Sequence, residues 1–232
     1  MKKYMKYGVF YKKTNDEWLT VSENKLKNGV LIAIEGIDGA GKTTQTNFLK
    51  NTLIAEGYEV ISFKEPTNGK WGMKIKDIAL YGRENVTPEE EINLFILDRK
   101  EDVANNINPA LKDKKVVIMD RYYYSNMAYQ GALGVDVDYI QKENENQFPI
   151  PNVVIILDVA PKIGISRIQN LRKEKLNKFE EEKYLVKVRQ IFHNMNQDNI
   201  KIIDGTRSME EVKKQMLNII HDIIFPLLNK RN

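Results

Sequence analysis

The chain has 232 residues, 42% of them hydrophobic and 29% charged, with 36 Lys+Arg against 32 Asp+Glu for a formal net charge of +4. One domain of this size buries roughly 70% of the surface its unfolded chain exposes, so a core forms without covalent staples. Cys is absent and His193 and His221 are the two histidines, which excludes a disulfide framework, Cys-ligated zinc and thiol catalysis, and argues against a Ser-His-Asp hydrolase. No apolar run reaches the ~18 residues of a membrane span, and basic residues alternate with acidic ones, so a soluble protein without membrane or nucleic-acid partners is expected.

In chain order, residues 1–28 read as an N-terminal extension of unassigned role. Its first thirteen residues hold five Lys and three Tyr but no apolar stretch of the kind a secretion signal needs. From Gly29 the text alternates between strand and helix periods. Val30 to Glu35 is a short apolar run ending at a Gly-rich turn, and Lys42 to Glu56 places Phe48, Leu49, Thr52 and Leu53 on one helical face before Gly57. Tyr58 to Lys64 reads as a second strand, followed by the turn residues Glu65 to Gly69. Thr87, Pro88 and Glu90 form a capping signature that opens a helix running toward Asn108-Pro109. Val116 to Asp120, Val153 to Asp158 and Ile200 to Asp204 are apolar on both faces and each ends in Asp. Such strands belong in a parallel sheet covered by helices. Ser208 and Glu211 announce a last helix with Val212, Met216, Ile219, Ile220, Ile223 and Leu227 on its inner stripe. The expected fold is α/β, a parallel five-stranded sheet with helices on both faces, continuous from 29 to 232.

Gly36 to Thr43 reads G-x-x-x-x-G-K-T between a strand and a helix, the context that gives this motif its meaning. Glycines let backbone N–H groups turn inward around an anion, the helix N-terminus adds positive potential, Lys42 is placed for the β- and γ-phosphates, and the Thr43 hydroxyl for Mg²⁺. Gly36, Ile37, Asp38, Gly39, Ala40, Gly41, Lys42, Thr43 and Thr44 are the expected ATP-binding stretch. Asp120 closes an apolar run as a strand-end carboxylate near Mg²⁺ would, and Arg121 beside it suits a second phosphate.

Beyond the cradle the residues resemble the thymidylate (dTMP) kinases, P-loop nucleoside monophosphate kinases, over almost all of 29–232. The resemblance rests on IEGIDGAGKTTQ at 34–45, KEPTNG at 64–69, EINLFILDRKEDVANNINPAL at 91–111, DRYYYSNMAYQGA at 120–132, LDVAPKIGISRI at 157–168 and IDGTRSMEEV at 203–212. It implies that Phe95 stacks on thymine, that Arg99 one turn later donates to its O4, that Asn126 meets the N3 edge and Gln130 the same acceptor, and that the Tyr129 ring crowds the 2′ position so that a deoxyribose fits. It further implies Asp38 near the transferring phosphoryl and Arg121 on the dTMP phosphate. Lys64 stands where the family usually has Arg, keeping the charge but losing the bidentate fork. With no Arg in the P-loop, the resemblance puts the catalytic charge in a lid at about 166–180, with Arg172 as lid Arg and Arg167 as a nucleotide contact.

The implied reaction is ATP + dTMP giving ADP + dTDP, a step of dTTP biosynthesis, with Mg²⁺ held through Thr43 and Asp120, in a cytoplasmic homodimer. Two other readings stand beside it. One is a deoxynucleoside kinase, which needs a carboxylate base such as Glu35 or Glu65; the other is a nucleotide-binding protein without turnover.

Overall fold

The computed structural model describes residues 3–6, 9–14, 17–21, 24–84, 86–172 and 178–228, with side chains described for 24–84, 86–169 and 182–228. Three short strands, β1 (Lys3–Lys6), β2 (Val9–Thr14) and β3 (Glu17–Val21), form an antiparallel meander in sequence order. Behind it, Asn24 donates its backbone N–H to the Gly57 carbonyl at 3.0 Å, and Leu26, buried, bridges Leu228 near the C-terminus. Lys27 adds a 2.8 Å bond to the Leu227 carbonyl. Residues 24–27 are thus tied to Gly57 on one side and to Leu227 and Leu228 on the other.

The main sheet has five parallel strands in the order β5-β6-β4-β7-β8. They are β4 (Val30–Glu35), β5 (Val60–Lys64), β6 (Val116–Asp120), β7 (Val153–Asp158) and β8 (Ile200–Asp204). The interior strands β4 and β6 are buried at every position. Because successive side chains of a strand point to opposite faces, both faces of the sheet are covered. The expectation of two apolar faces for Ile200 to Asp204 does not hold. β8 is an edge strand beside β7 alone, and Lys201 and Ile202 face solvent.

Helix α1 (Lys42–Ala55) buries Gln45, Leu49 and Leu53, an i, i+4, i+8 stripe, with Thr46 beside it, while Phe48 and Thr52 lie half-buried at its flank. After α2 (Lys70–Tyr81), α3 (Pro88–Asp102) begins with the expected capping box between Thr87 and Glu90. The helical path does not stop at Pro109. It passes through one π-helical stretch, Val103–Ile107, into α4 (Asn108–Lys112). Proline has no N–H and its ring crowds the carbonyl four residues back, so the widened turn lets the helix carry it. There follow α5 (Tyr123–Gly131), α6 (Val137–Glu145), α7 (Pro161–Arg172), α8 (Lys178–Asn194) and α9 (Met209–Ile224). In α9, capped by Ser208 and Glu211, the fully buried positions are Val212, Met216, Ile220 and Ile224, with Ile219 and Ile223 half-buried beside them.

All five strands run the same way, so Glu35, Lys64, Asp120, Asp158 and Asp204 end on one edge of the sheet. Register places Lys64 and Ile34 on either side of Asp120. In open α/β sheets ligands bind beyond this carboxyl edge.

Candidate active site

The loop from Gly36 to Gly41 leaves β4 and delivers the chain into α1. Gly36, Gly39 and Gly41 all have positive φ, at 136°, 77° and 95°. At Gly39 the reason is also space, since a Cβ there would sit 2.2 Å from the Gly164 carbonyl oxygen of α7. Lys42 is only 7% exposed and its ammonium donates to the Gly36 and Ile37 carbonyls at 3.0 and 2.8 Å. The Lys42 side chain is therefore folded onto the loop. Burial, aided by the Arg121 charge, pulls its pKa down to about 7 against Asp38, Asp120 and Glu35. Asp38, Gly39, Gly41, Lys42, Thr43 and Thr44 line a cavity of about 670 Å³. Ile37 and Ala40 are buried in the core instead.

Thr43 and Asp120 meet at the mouth of α1, the hydroxyl donating to Asp120 Oδ2 at 2.5 Å. The other oxygen, Asp120 Oδ1, is buried without a hydrogen-bond partner. An orphaned carboxylate oxygen beside a hydroxyl is the donor chemistry a hard divalent cation takes. Among the described residues no group of three His, Cys, Asp or Glu side chains is placed to hold a metal ion, so an ion held here would take its remaining oxygens from water and phosphate, as Mg²⁺ does. Lys64, expected at the acceptor, is on this side. Its ammonium is 3.3 Å from Asp120 and 3.4 Å from the Thr43 hydroxyl, and it lines the P-loop cavity and not the second one. The Thr43 and Asp120 oxygens draw it there.

The second cavity, about 250 Å³, lies between α2, α3 and α5 and is lined by Phe95, Arg99, Asn126, Tyr129 and Gln130 among others. The two cavities share the wall formed by Asp38, Glu65, Pro66, Lys76, Ala79 and Arg121. Arg121 has φ 75°, a left-handed conformation uncommon for a side chain of its size. Its guanidinium reaches Asp38 at 2.5 Å and Ser125 at 3.0 Å, and lies over the Tyr129 ring at 5.1 Å. Asp120 and Arg121 are neighbours in sequence but not partners. Burial works against the Asp38 carboxylate, yet Arg121, Lys42 and the Tyr129 hydroxyl hold its pKa below the ordinary range.

Glu35 fixes the turn that carries Arg121. It is fully buried, accepting from the Tyr122 backbone N–H at 2.7 Å and the Ser125 hydroxyl at 2.6 Å. Burial raises its pKa against these bonds and the Arg121 charge. Arg99, also fully buried, forks onto Glu65, with Asn126 Oδ1 at 2.8 Å and Asn144 Oδ1 at 2.5 Å completing its partners. Burial pushes Glu65 up to about 7 against the opposing Arg99 charge. The loop after Glu65 is held by Thr67, whose backbone N–H and hydroxyl donate to Asp98 at 2.8 and 2.5 Å.

Residues 34–216 match the thymidylate kinase family. The chain belongs to that family. Curated relatives include the probable thymidylate kinase of Archaeoglobus fulgidus, 42% identical over 195 residues that cover 84% of this chain and 96% of that protein. The thymidylate kinase of Desulfotalea psychrophila is 40% identical over 196 residues, with 84% and 96% covered. That of Xanthomonas euvesicatoria is 42% identical over 192 residues, with 83% of each covered.

For this kinase, the structure brings Asp38, Lys42, Thr43 and Arg121 to one junction, with Asp120 behind it on the Thr43 hydroxyl, and Phe95, Arg99, Asn126, Tyr129 and Gln130 to the adjoining cavity. Arg167 stitches the P-loop to the turn after β8, donating to Gly39 at 3.3 Å and Gly205 at 3.2 Å. The Arg172 side chain and residues 173–177 of the expected lid lie outside the described residues. Sequence reasoning passed over Lys76, which lines both cavities and donates to the Thr67 carbonyl at 2.7 Å. It also passed over the Arg83–Glu91 ion pair at 3.0 Å and over Asn144. Lys76 carries a readable signal, falling one residue after the inward Ile75 on α2; Asn144 carries none, since an Asn in a polar helix reads as surface.

Proposed function

We propose that this chain transfers the γ-phosphoryl group of ATP to dTMP, giving ADP and dTDP, with ATP on the P-loop and dTMP in the cavity of Phe95 and Arg99. One observation carries the reading: a phosphate cradle and a base-sized cavity meet at a wall where Arg121 and Asp38 face both. Phosphoryl transfer asks for in-line positioning and neutralised charge rather than covalent chemistry. Lys42 supplies charge at the donor, Arg121 at the acceptor phosphate, and Arg172 is the proposed lid charge. Asp38 orients Arg121 through their ion pair. Phe95 stacks on the base, and Asn126 and Gln130 read its edge. Tyr129, anchored to Asp38 at 3.2 Å, limits room at the 2′ carbon. Thr43 and Asp120 are the residues that would hold Mg²⁺, whose bound charge neutralises the developing negative charge on the phosphates.

The observations speak against a hydroxyl acceptor. That chemistry needs a free carboxylate base, yet both oxygens of Glu35 accept hydrogen bonds and Glu65 is committed to Arg99. Exposed Met73, Leu80 and Tyr81 on α2 and Leu97 on α3 support a homodimer through these helices. No helix of the described residues is long and apolar enough to cross a membrane, and the substrates point to the cytoplasm.

The test is ADP release with ATP-Mg²⁺ and a panel of acceptors: dTMP, its ribose analogue, dUMP, dCMP, dGMP, thymidine and none. Preference for dTMP over thymidine and over the ribose analogue is expected. Preference for thymidine, or turnover independent of acceptor, would overturn the reading.

A further inference from the structure

Arg99 has five N–H groups and almost no access to solvent, being 1% exposed. Its Nε–H and one Nη2–H go to the Glu65 carboxylate, and the other Nη2–H goes to Asn126 Oδ1 at 2.8 Å. One Nη1–H goes to Asn144 Oδ1 at 2.5 Å. A planar guanidinium so held has a single N–H left, on Nη1; the plane held by Glu65 and Asn126 sets the directions of both Nη1 protons, and the partner that takes one of them decides which is left over. That partner is Asn144, from α6, itself 1% exposed. Its amide cannot turn over, because Nδ2 donates to the Ile140 carbonyl at 2.7 Å one helical turn back, leaving Oδ1 toward Arg99. The rings of Tyr122 and Phe148 lie 5.1 and 5.7 Å from the guanidinium carbon and confine it further.

We infer that Asn144 is a positioning residue for base selection, which by holding one Nη1 proton of Arg99 leaves the other to donate into the cavity and so favours a pyrimidine with a 4-oxo group over one with a 4-amino group. The inference rests on the reading of this cavity as the acceptor base site. A donor of fixed direction accepts a carbonyl oxygen as partner, whereas an exocyclic amino group brings donors of its own, and a buried mismatch costs more than a missing contact. Asn144 does not line the cavity. Its effect is transmitted through Arg99.

The experiment compares dTMP and dCMP kinetics in the full chain, in Asn144→Leu, and in Asn144→Asp, which keeps an acceptor oxygen toward Arg99. Asn144→Leu is expected to raise the dTMP KM about tenfold and to lower the dTMP-over-dCMP preference in kcat/KM by about the same factor, the loss of one hydrogen bond to a charged group. The ATP KM should stay within about twofold, and Asn144→Asp should recover most of the preference. If Leu prevents folding, as judged by thermal melting, Asn144→Ser takes its place. Unchanged dTMP KM and preference, or equal rises for ATP and dTMP, would overturn the inference. Phe95→Ala run in parallel separates the two levels: if it too leaves the dTMP KM unchanged, the acceptor-site reading fails as well, and if it raises the dTMP KM while Asn144→Leu does not, the inference about Asn144 fails alone.

Discussion

The P-loop cradle is made by eight consecutive residues, Gly36 to Thr43, and presents backbone, one ammonium and one hydroxyl, whereas the proposed acceptor cavity draws side chains from the loop after β5, from α2, α3 and α5, and from α6 behind them. In the cradle, on the proposed reading, a group acts on its ligand directly. In the acceptor cavity each group is held by another: Arg121 by Asp38 and Ser125, Ser125 by Glu35, Arg99 by Glu65, Asn126 and Asn144. A change in the first should cost turnover and little else, while a change in the second should spread into substrate affinity and stability together.

The largest effect expected is on the cradle side. Lys42→Ala should lower turnover by about 10³-fold while the melting temperature stays near that of the parent protein, since Lys42 bonds only loop carbonyls and lies outside the apolar core. Turnover within tenfold of the parent would remove Lys42 from the mechanism. On the other side, Arg99→Met strands the Glu65 carboxylate in a buried site, a loss of about 3–5 kcal/mol in denaturant unfolding. Pairing it with Glu65→Leu should recover much of that loss, and if the double variant is no more stable than the single, the two are not a coupled unit.

A smaller effect is expected from pH. Burial raises the Glu65 pKa from its ordinary 4.5 to about 7, so the folded protein binds a proton that the unfolded chain releases. This contribution to stability is fully present below about 4.5 and is lost as pH rises through about 7. Glu65→Gln should flatten the melting temperature across that window, and an unaltered slope would place the titration elsewhere. Least of all, Tyr129→Phe removes the 3.2 Å bond the hydroxyl donates to Asp38 and the long 3.5 Å bond it accepts from Arg121 but leaves the ring in place, so dTMP turnover should fall only about threefold and discrimination against the ribose analogue should persist. Loss of that discrimination would assign it to the hydroxyl and not to the ring.

The same contrast governs what the residues alone reveal. The cradle, the five strands and the caps of α3 and α9 are legible because their chemistry is local: a glycine at a positive φ, a Thr or Ser three residues before Glu, a run of β-branched residues. Phe95 and Arg99 come from a family resemblance, and their i, i+4 spacing does not tell which carboxylate Arg99 meets. Only the approach of β5 and α3 decides it. Lys64 ends on the donor side because β5 pairs with β6 in the register that sets it against Asp120. Asn144 and Lys76 matter through partners 45 and 9 residues away, distances at which no local pattern speaks.

Arg121 sits in a backbone conformation that glycine adopts freely and a long side chain adopts at a cost of about 1 kcal/mol. The contacts of its guanidinium with Asp38, Ser125 and the Tyr129 ring offset that cost. Arg121→Gly would relieve that strain but forfeit the bonds to Asp38 and Ser125, so it should melt lower as well as catalyse less; the strained turn persists because the side chain it carries ties the P-loop to α5.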